Sequence, residues 1–131
     1  MIFSLAIYAP PSSSSSLSAY RFAEAAVASG HRLYRIFFYH EGVHHGDGFA
    51  QIPQDEFDMA DAWRQLKQHT QCELCICIAA AVKRGIFTLE EAKRYELNES
   101  TINKDFDLVG LADLIEATQQ SDRLISFGAC R

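Results

Sequence analysis

The chain has 131 residues, 48% of them hydrophobic and 22% charged, which suits a single domain over 1–131 and leaves no length for a multidomain machine. Nine Phe, five Tyr and one Trp against only seven Gly and three Pro argue for a packed core rather than a disordered chain. A net charge of -5 and the lack of any Lys/Arg tract argue against a direct, tight grip on free nucleic acid.

The opening run MIFSLAIY is too short to span a bilayer and has no basic flank, so the reading is a cytosolic protein with no membrane segment. Residues 2–8 instead have the β-branched and aromatic content of a strand covered on both faces. Pro10 and Pro11 end it, and Ser12, Ser13, Ser14, Ser15 and Ser16 form a strand-to-helix loop, with one serine capping the helix that follows. Over 17–28 the residues Leu17, Tyr20, Ala23 or Glu24, and Val27 approximate a helical stripe, stopped by Gly30. Residues 33–39, LYRIFFY, read as a second strand whose aromatic bulk fills sheet-to-helix space and is a candidate interface, and 40–53 as a long loop. Asp55 or Asp58 opens a helix carrying Phe57, Ala60, Trp63 and Leu66 near one face.

Residues 73–78, ELCICI, form the third strand, and Ala79, Ala80, Ala81, Val82, Lys83 and Arg84 give one or two helical turns before Gly85. Thr88 with Glu91 fits a capping box for a short helix to about Tyr95, followed by a loop over 97–105. A brief strand over 106–109, a turn at Gly110, a helix over 111–118 and a strand over 124–127 complete the chain. Strands alternating with helices predict an α/β fold, Rossmann-like or flavodoxin-like, three layers around a mainly parallel sheet of about five strands. In such a sheet ligand chemistry collects at the carboxyl ends of the strands, here around Tyr8, Tyr39 and Cys77.

Cys77 stands where the third strand meets a helix, a place where backbone N–H groups and the helix dipole favour a thiolate, with Lys83 and Arg84 close in sequence. It is the leading nucleophile candidate; the alternative is a small buried hydrophobe. Cys72 and Cys75 match CxxC, but on an extended strand an odd separation puts them on opposite faces. Cys75 and Cys77 share a face at an extended separation of about 6.6 Å, longer than the roughly 5.5–6 Å usual for a disulfide. A zinc site drawing on Cys72, Cys75, His40, His44 or His45 lacks a second ligand pair at familiar spacing. The polar loop HEGVHHGD is compatible with proton transfer by His40, His44 or His45, with partner docking, or with plain solvation. No GxGxxG, phosphate-loop or GxSxG signature occurs, so no nucleotide, flavin or hydrolytic triad is called for, and no cofactor or metal is expected.

The segments SAYRFAEAAVASGHRLYRIFFYHEGV, DEFDMADAWRQL, CICIAAAVKRGI and FDLVGLADLIEATQQSDRLISF together resemble the DsrE-like family of sulfur-relay subunits, over nearly the whole chain. That family includes subunits of the bacterial tRNA 2-thiouridine relay and of a related sulfur-oxidation relay. The resemblance implies a sulfurtransferase whose reactive cysteine aligns with Cys77 rather than Cys75. It also implies assembly with two homologous subunits into a heterohexamer with two copies of each. An upstream persulfide donor would then load Cys77, and a small downstream carrier protein would take the sulfur toward 2-thiouridine at the tRNA wobble position. The alternative within the same assembly is a non-catalytic structural or carrier-docking subunit. The loop YAPPSSSSSLSAY departs from the family's glycine-containing segment, so no role is carried over to Ser12 or Ser16.

Overall fold

In the computed structural model, which describes residues 1–128, five strands form one wholly parallel sheet in the order β4-β3-β2-β1-β5. The strands are β1 (Ile2–Ile7), β2 (Arg32–Phe38), β3 (Glu73–Cys77), β4 (Asp107–Val109) and β5 (Arg123–Phe127). The chain steps outward from β1 to β4 and then returns to the free side of β1, which places helices on both faces. On one side α1 (Ser14–Ala28) and α2 (Met59–Thr70) cover alternate residues, with Phe3 against Phe22 and Phe38 against Trp63. On the other side α5 (Ala112–Gln120) is tied down by Arg35 of β2, which donates to the Asp113 carbonyl at 2.7 Å. The short helices α3 (Ile78–Val82) and α4 (Leu89–Arg94) follow β3.

The three-layer parallel architecture agrees with the expectation, and the differences are local. Helix α1 starts three residues before the expected Leu17, because Ser13 takes the cap and its Oγ accepts from the Ser15 N–H at 3.1 Å. Its buried stripe is Ser16, Ala19, Ala23 and Ala26, small residues that let the helix lie close to the sheet, while Leu17, Tyr20 and Val27 pack at the margin. Asp58, not Asp55, caps α2, which leaves Phe57 outside the helix and 57% exposed; the buried face is Met59, Ala62, Trp63 and Leu66 rather than Ala60. Ile78 belongs to α3 rather than to β3.

The expected loop at 40–53 begins with a 3-10 segment, His40–Gly46, pressed against the sheet edge. Gly42 is required there, since a Cβ at that position would lie 2.1 Å from the Ile7 carbonyl oxygen. In β2, Phe37 and Phe38 are fully buried, so these two aromatics serve the core and not an interface; Tyr34 and Tyr39 remain half-buried. Among the described residues no helix is long and apolar enough to cross a membrane.

Candidate functional site

Parallel strands bring the carboxyl ends of β1, β2 and β3 to one edge, and their last residues define the site. Cys77 ends β3 opposite Val109 and is also the residue that caps α3, with extended dihedrals of φ -68° and ψ 122°. Its side chain makes no capping hydrogen bond to α3 and only 1% of the residue is exposed. The expected position is therefore found, whereas sulfur in this conformation neither engages the helix donors nor meets solvent. Next to it on the edge, past the Phe38–Ile76 pair, stands Tyr39, and then Tyr8 past Ile7. The Tyr8 and Tyr39 rings are 6.0 Å apart, and His40 stacks on Tyr39 at 4.2 Å with a backbone φ of 49°, a left-handed conformation that a histidine adopts at a cost.

The other two described cysteines sit in a different chemical setting. Cys75 lies one step inward on the same face of β3, paired with Phe37 and Asp107, and burial pushes its thiol up to about 12, against the opposing pull of Arg35. Burial likewise raises Cys72, opposed by its hydrogen bond with Thr70. All three are free thiols, so the strand spacing read from sequence does not become a disulfide. A thiol held that high stays protonated at neutral pH and is a poor nucleophile.

The histidines of the 3-10 segment separate into three roles. His45, 1% exposed, accepts from Trp63 Nε1 on Nδ1 at 3.2 Å, so its proton sits on Nε2, which lies 3.0 Å from Ser16 Oγ and 3.2 Å from the Ala9 carbonyl. Burial holds its pKa down to about 3, and as a neutral ring it knits the first loop, the 3-10 segment and α2 together. His44 Nε2 approaches Glu41 Oε2 at 3.3 Å, and the other oxygen of Glu41 accepts from Arg84 at 2.9 Å, which keeps the Glu41 carboxyl below its usual range. His40 faces solvent. With both ring nitrogens of His45 in hydrogen bonds, that residue is not free to take a metal, and no group of three His, Cys, Asp or Glu converges among the described residues. Sequence reasoning missed the anchoring role of His45 and of Ser16, because their partners are distant in the chain.

Beside Cys77, a groove of about 640 Å³ opens at Ile78 and Ala79 and runs along Val82, Phe87, Tyr95 and Leu97, with Lys83 on its rim. It is mostly apolar, and Cys77 adjoins it through the chain rather than lining it.

The sequence profile of the DsrE/DsrF-like family matches residues 1–127. A sulfurtransferase TusD homolog of Pseudomonas aeruginosa is 43% identical over 131 residues, covering 100% of both chains. The DsrE protein of Allochromatium vinosum is 40% identical over 111 residues, 85% of each chain, and a sulfurtransferase TusD of Yersinia pestis is 43% identical over 110 residues, 84% of each. Among solved structures, the ychN protein of E. coli superposes with a TM-score of 0.72 at 20% identity, covering 96% of this chain and 97% of that one, a likeness of fold.

Proposed function

The chain belongs to the DsrE/DsrF-like family and is a sulfurtransferase of it, and on that premise we propose that Cys77 is the atom that carries sulfur. The Cys77 thiolate attacks the outer sulfur of a donor persulfide; the donor S–S bond breaks, the donor leaves as a thiolate, and Cys77 becomes a persulfide. A thiolate on a small carrier protein then attacks that outer sulfur and regenerates Cys77. Both exchanges balance without a metal or redox cofactor. The single observation behind the assignment is position: of the three described cysteines, Cys77 alone lies at a strand-to-helix junction on the carboxyl edge, directly before the groove that opens at Ile78. Cys75 is set inward with a strongly raised pKa.

The proposed setting is a cytoplasmic heterohexamer with two homologous relay subunits, two copies of each, serving 2-thiouridine formation at the tRNA wobble position. The exposed Tyr95 and Leu97 that line the groove, at 54% and 47%, are the apolar surface such assembly would cover. The net charge of -5 suits transfer between proteins rather than a direct hold on tRNA.

The test is mass spectrometry after incubation with a persulfide donor. Wild type gains one reducible sulfur on Cys77, C75S still loads, and C77S does not. Loading mapped to Cys75 instead overturns the assignment. One observation favours a second reading, a non-catalytic docking subunit: Cys77 is 1% exposed. Undiminished tRNA thiolation with C77S in the assembled complex would select that reading.

A further inference from the structure

Strand parity fixes the side of the sheet on which the Cys77 side chain stands. Phe38 meets Trp63 of α2, so Ile76, paired with Phe38, shares the α2 face. Cys77 therefore points to the opposite face, with Cys75, Phe37 and Arg35. That face carries α5, held there by the bonds of Arg35 to the Asp113 carbonyl and to Glu116.

Register then sets the neighbours of Cys77 within that face. On one side it pairs with Val109 of β4. On the other, the β2–β3 register ends at Phe38 with Ile76, and the next residue of each strand is still extended, Tyr39 at φ -136° and ψ 163° and Cys77 at φ -68° and ψ 122°. Tyr39 thus stands beside Cys77 at the strand spacing of about 4.8 Å. The ladder to β1 runs on as well, the Tyr39 N–H donating to the Ile7 carbonyl at 2.9 Å, so Tyr8 follows Tyr39. The row reads Val109, Cys77, Tyr39, Tyr8. Phe37 and Cys75, one step inward, are buried, whereas Val109, Tyr39 and Tyr8 are half-buried, so the face is partly open at this end.

The Tyr39 ring is held by three others. Phe37 meets it edge-on at 6.4 Å, Tyr8 lies 6.0 Å away, and His40 stacks on it at 4.2 Å, taking a φ of 49° to do so. An aromatic ring fixed at the flank of a sulfur offers a favourable contact to a second sulfur, which is soft and polarisable. We propose that Tyr39 is a positioning residue for sulfur transfer: the persulfide comes to Cys77 from the α5 face, and the Tyr39 ring aligns its outer sulfur with the Cys77 thiolate. The inference rests on the reading of Cys77 as the sulfur carrier. With 1% of Cys77 exposed, a donor gains contact by displacing the half-buried members of the row rather than the buried residues inward of it. His40 acts through Tyr39 by holding the ring in place.

Timed loading of the folded protein by glutathione persulfide, read by mass spectrometry at Cys77, tests it alongside pulsed alkylation by iodoacetamide. Tyr39→Leu should load about three- to tenfold more slowly, within the range of a lost sulfur–aromatic contact. Its Cys77 should nevertheless be alkylated at least as fast as in wild type, because a smaller neighbour leaves the sulfur more open. A purely structural effect moves both rates the same way. Tyr39→Phe, which keeps the ring, should recover loading to within about twofold of wild type, the residual spread allowed for a ring held without its hydroxyl. His40→Gly changes an exposed residue whose φ glycine takes freely, and by releasing the ring it should also slow loading. That variant decides the matter if Tyr39→Leu loosens the fold, seen as faster alkylation of Cys75, and wild-type loading in it then overturns the proposal. In a folded Tyr39→Leu, loading at the wild-type rate, or loading and alkylation slowed together, overturns it too, as does a Tyr39→Phe no better than Tyr39→Leu. Failure of wild-type Cys77 to load at all overturns the carrier reading instead, so the two fail separately.

Discussion

His45 shows how a residue that looks solvated in sequence can be locked in the core. Its imidazole bonds Ser16 and Trp63, which are 29 and 18 residues away, and no periodicity within HEGVHHGD announces either contact. The unfolded ring binds a proton near its ordinary 6.5, the folded ring only at about 3. Between these values the unfolded chain carries the extra proton, so this group's cost is absent above pH 6.5 and grows as pH falls toward 3, by about 1.4 kcal/mol per unit. Urea unfolding at pH 7, 5.5 and 4.5 should show wild type losing stability more steeply than His45→Gln; parallel curves would rule the mechanism out. Cys77, by contrast, was legible: a cysteine between an apolar strand and an alanine-rich turn marks a strand-to-helix junction whichever helix boundary is chosen. What its own sequence does not announce is how deeply the folded chain buries it, at 1% exposure.

At the scale of elements, boundaries were hardest to read where several residues compete for one role. Five consecutive serines offer equivalent caps, and only the close fit of Ser16 between the Ala9 and Pro10 carbonyls and His45 decides that Ser13 is the cap. The phase of α2 follows from Trp63 and Leu66, and once Asp58 takes the cap Phe57 falls outside the helix. The 3-10 segment left no helical period because its shape is imposed by docking on the strand ends and α3, with Gly42 held against the Ile7 carbonyl. Gly42→Ala tests that directly: the added Cβ would strike a backbone oxygen that cannot swing aside. The substitution should cost about 3 kcal/mol, at the upper end for overpacking, measured as a lowered urea midpoint. A midpoint within experimental error of wild type would mean the segment can move away from the Ile7 carbonyl freely.

Across the whole molecule, the parallel pairing of the strands was legible in the sequence, because a helix between consecutive strands demands it, but their order, with β5 returning to the side of β1, rests on long-range packing. Arg35 records that packing. Buried to 4% exposure, it joins three elements: its Nε donates to Glu73 of β3 at 2.7 Å, and Nη1 reaches the Asp113 carbonyl and, at 3.0 Å, Glu116 of α5. Arg35→Met should lower stability by about 1–3 kcal/mol, less than for a fully buried pair because both carboxylates are half-exposed and can regain water. The same change should speed amide hydrogen exchange in α5, and unaltered exchange there would show that the helix is held by its apolar side alone. The sheet also keeps Cys72, Cys75 and Cys77 at 2% exposure or less. These three thiols should therefore be slow to react with hydrogen peroxide, and the irreversible sulfinic and sulfonic products that ruin exposed thiolates should accumulate on them only while they are opened to solvent.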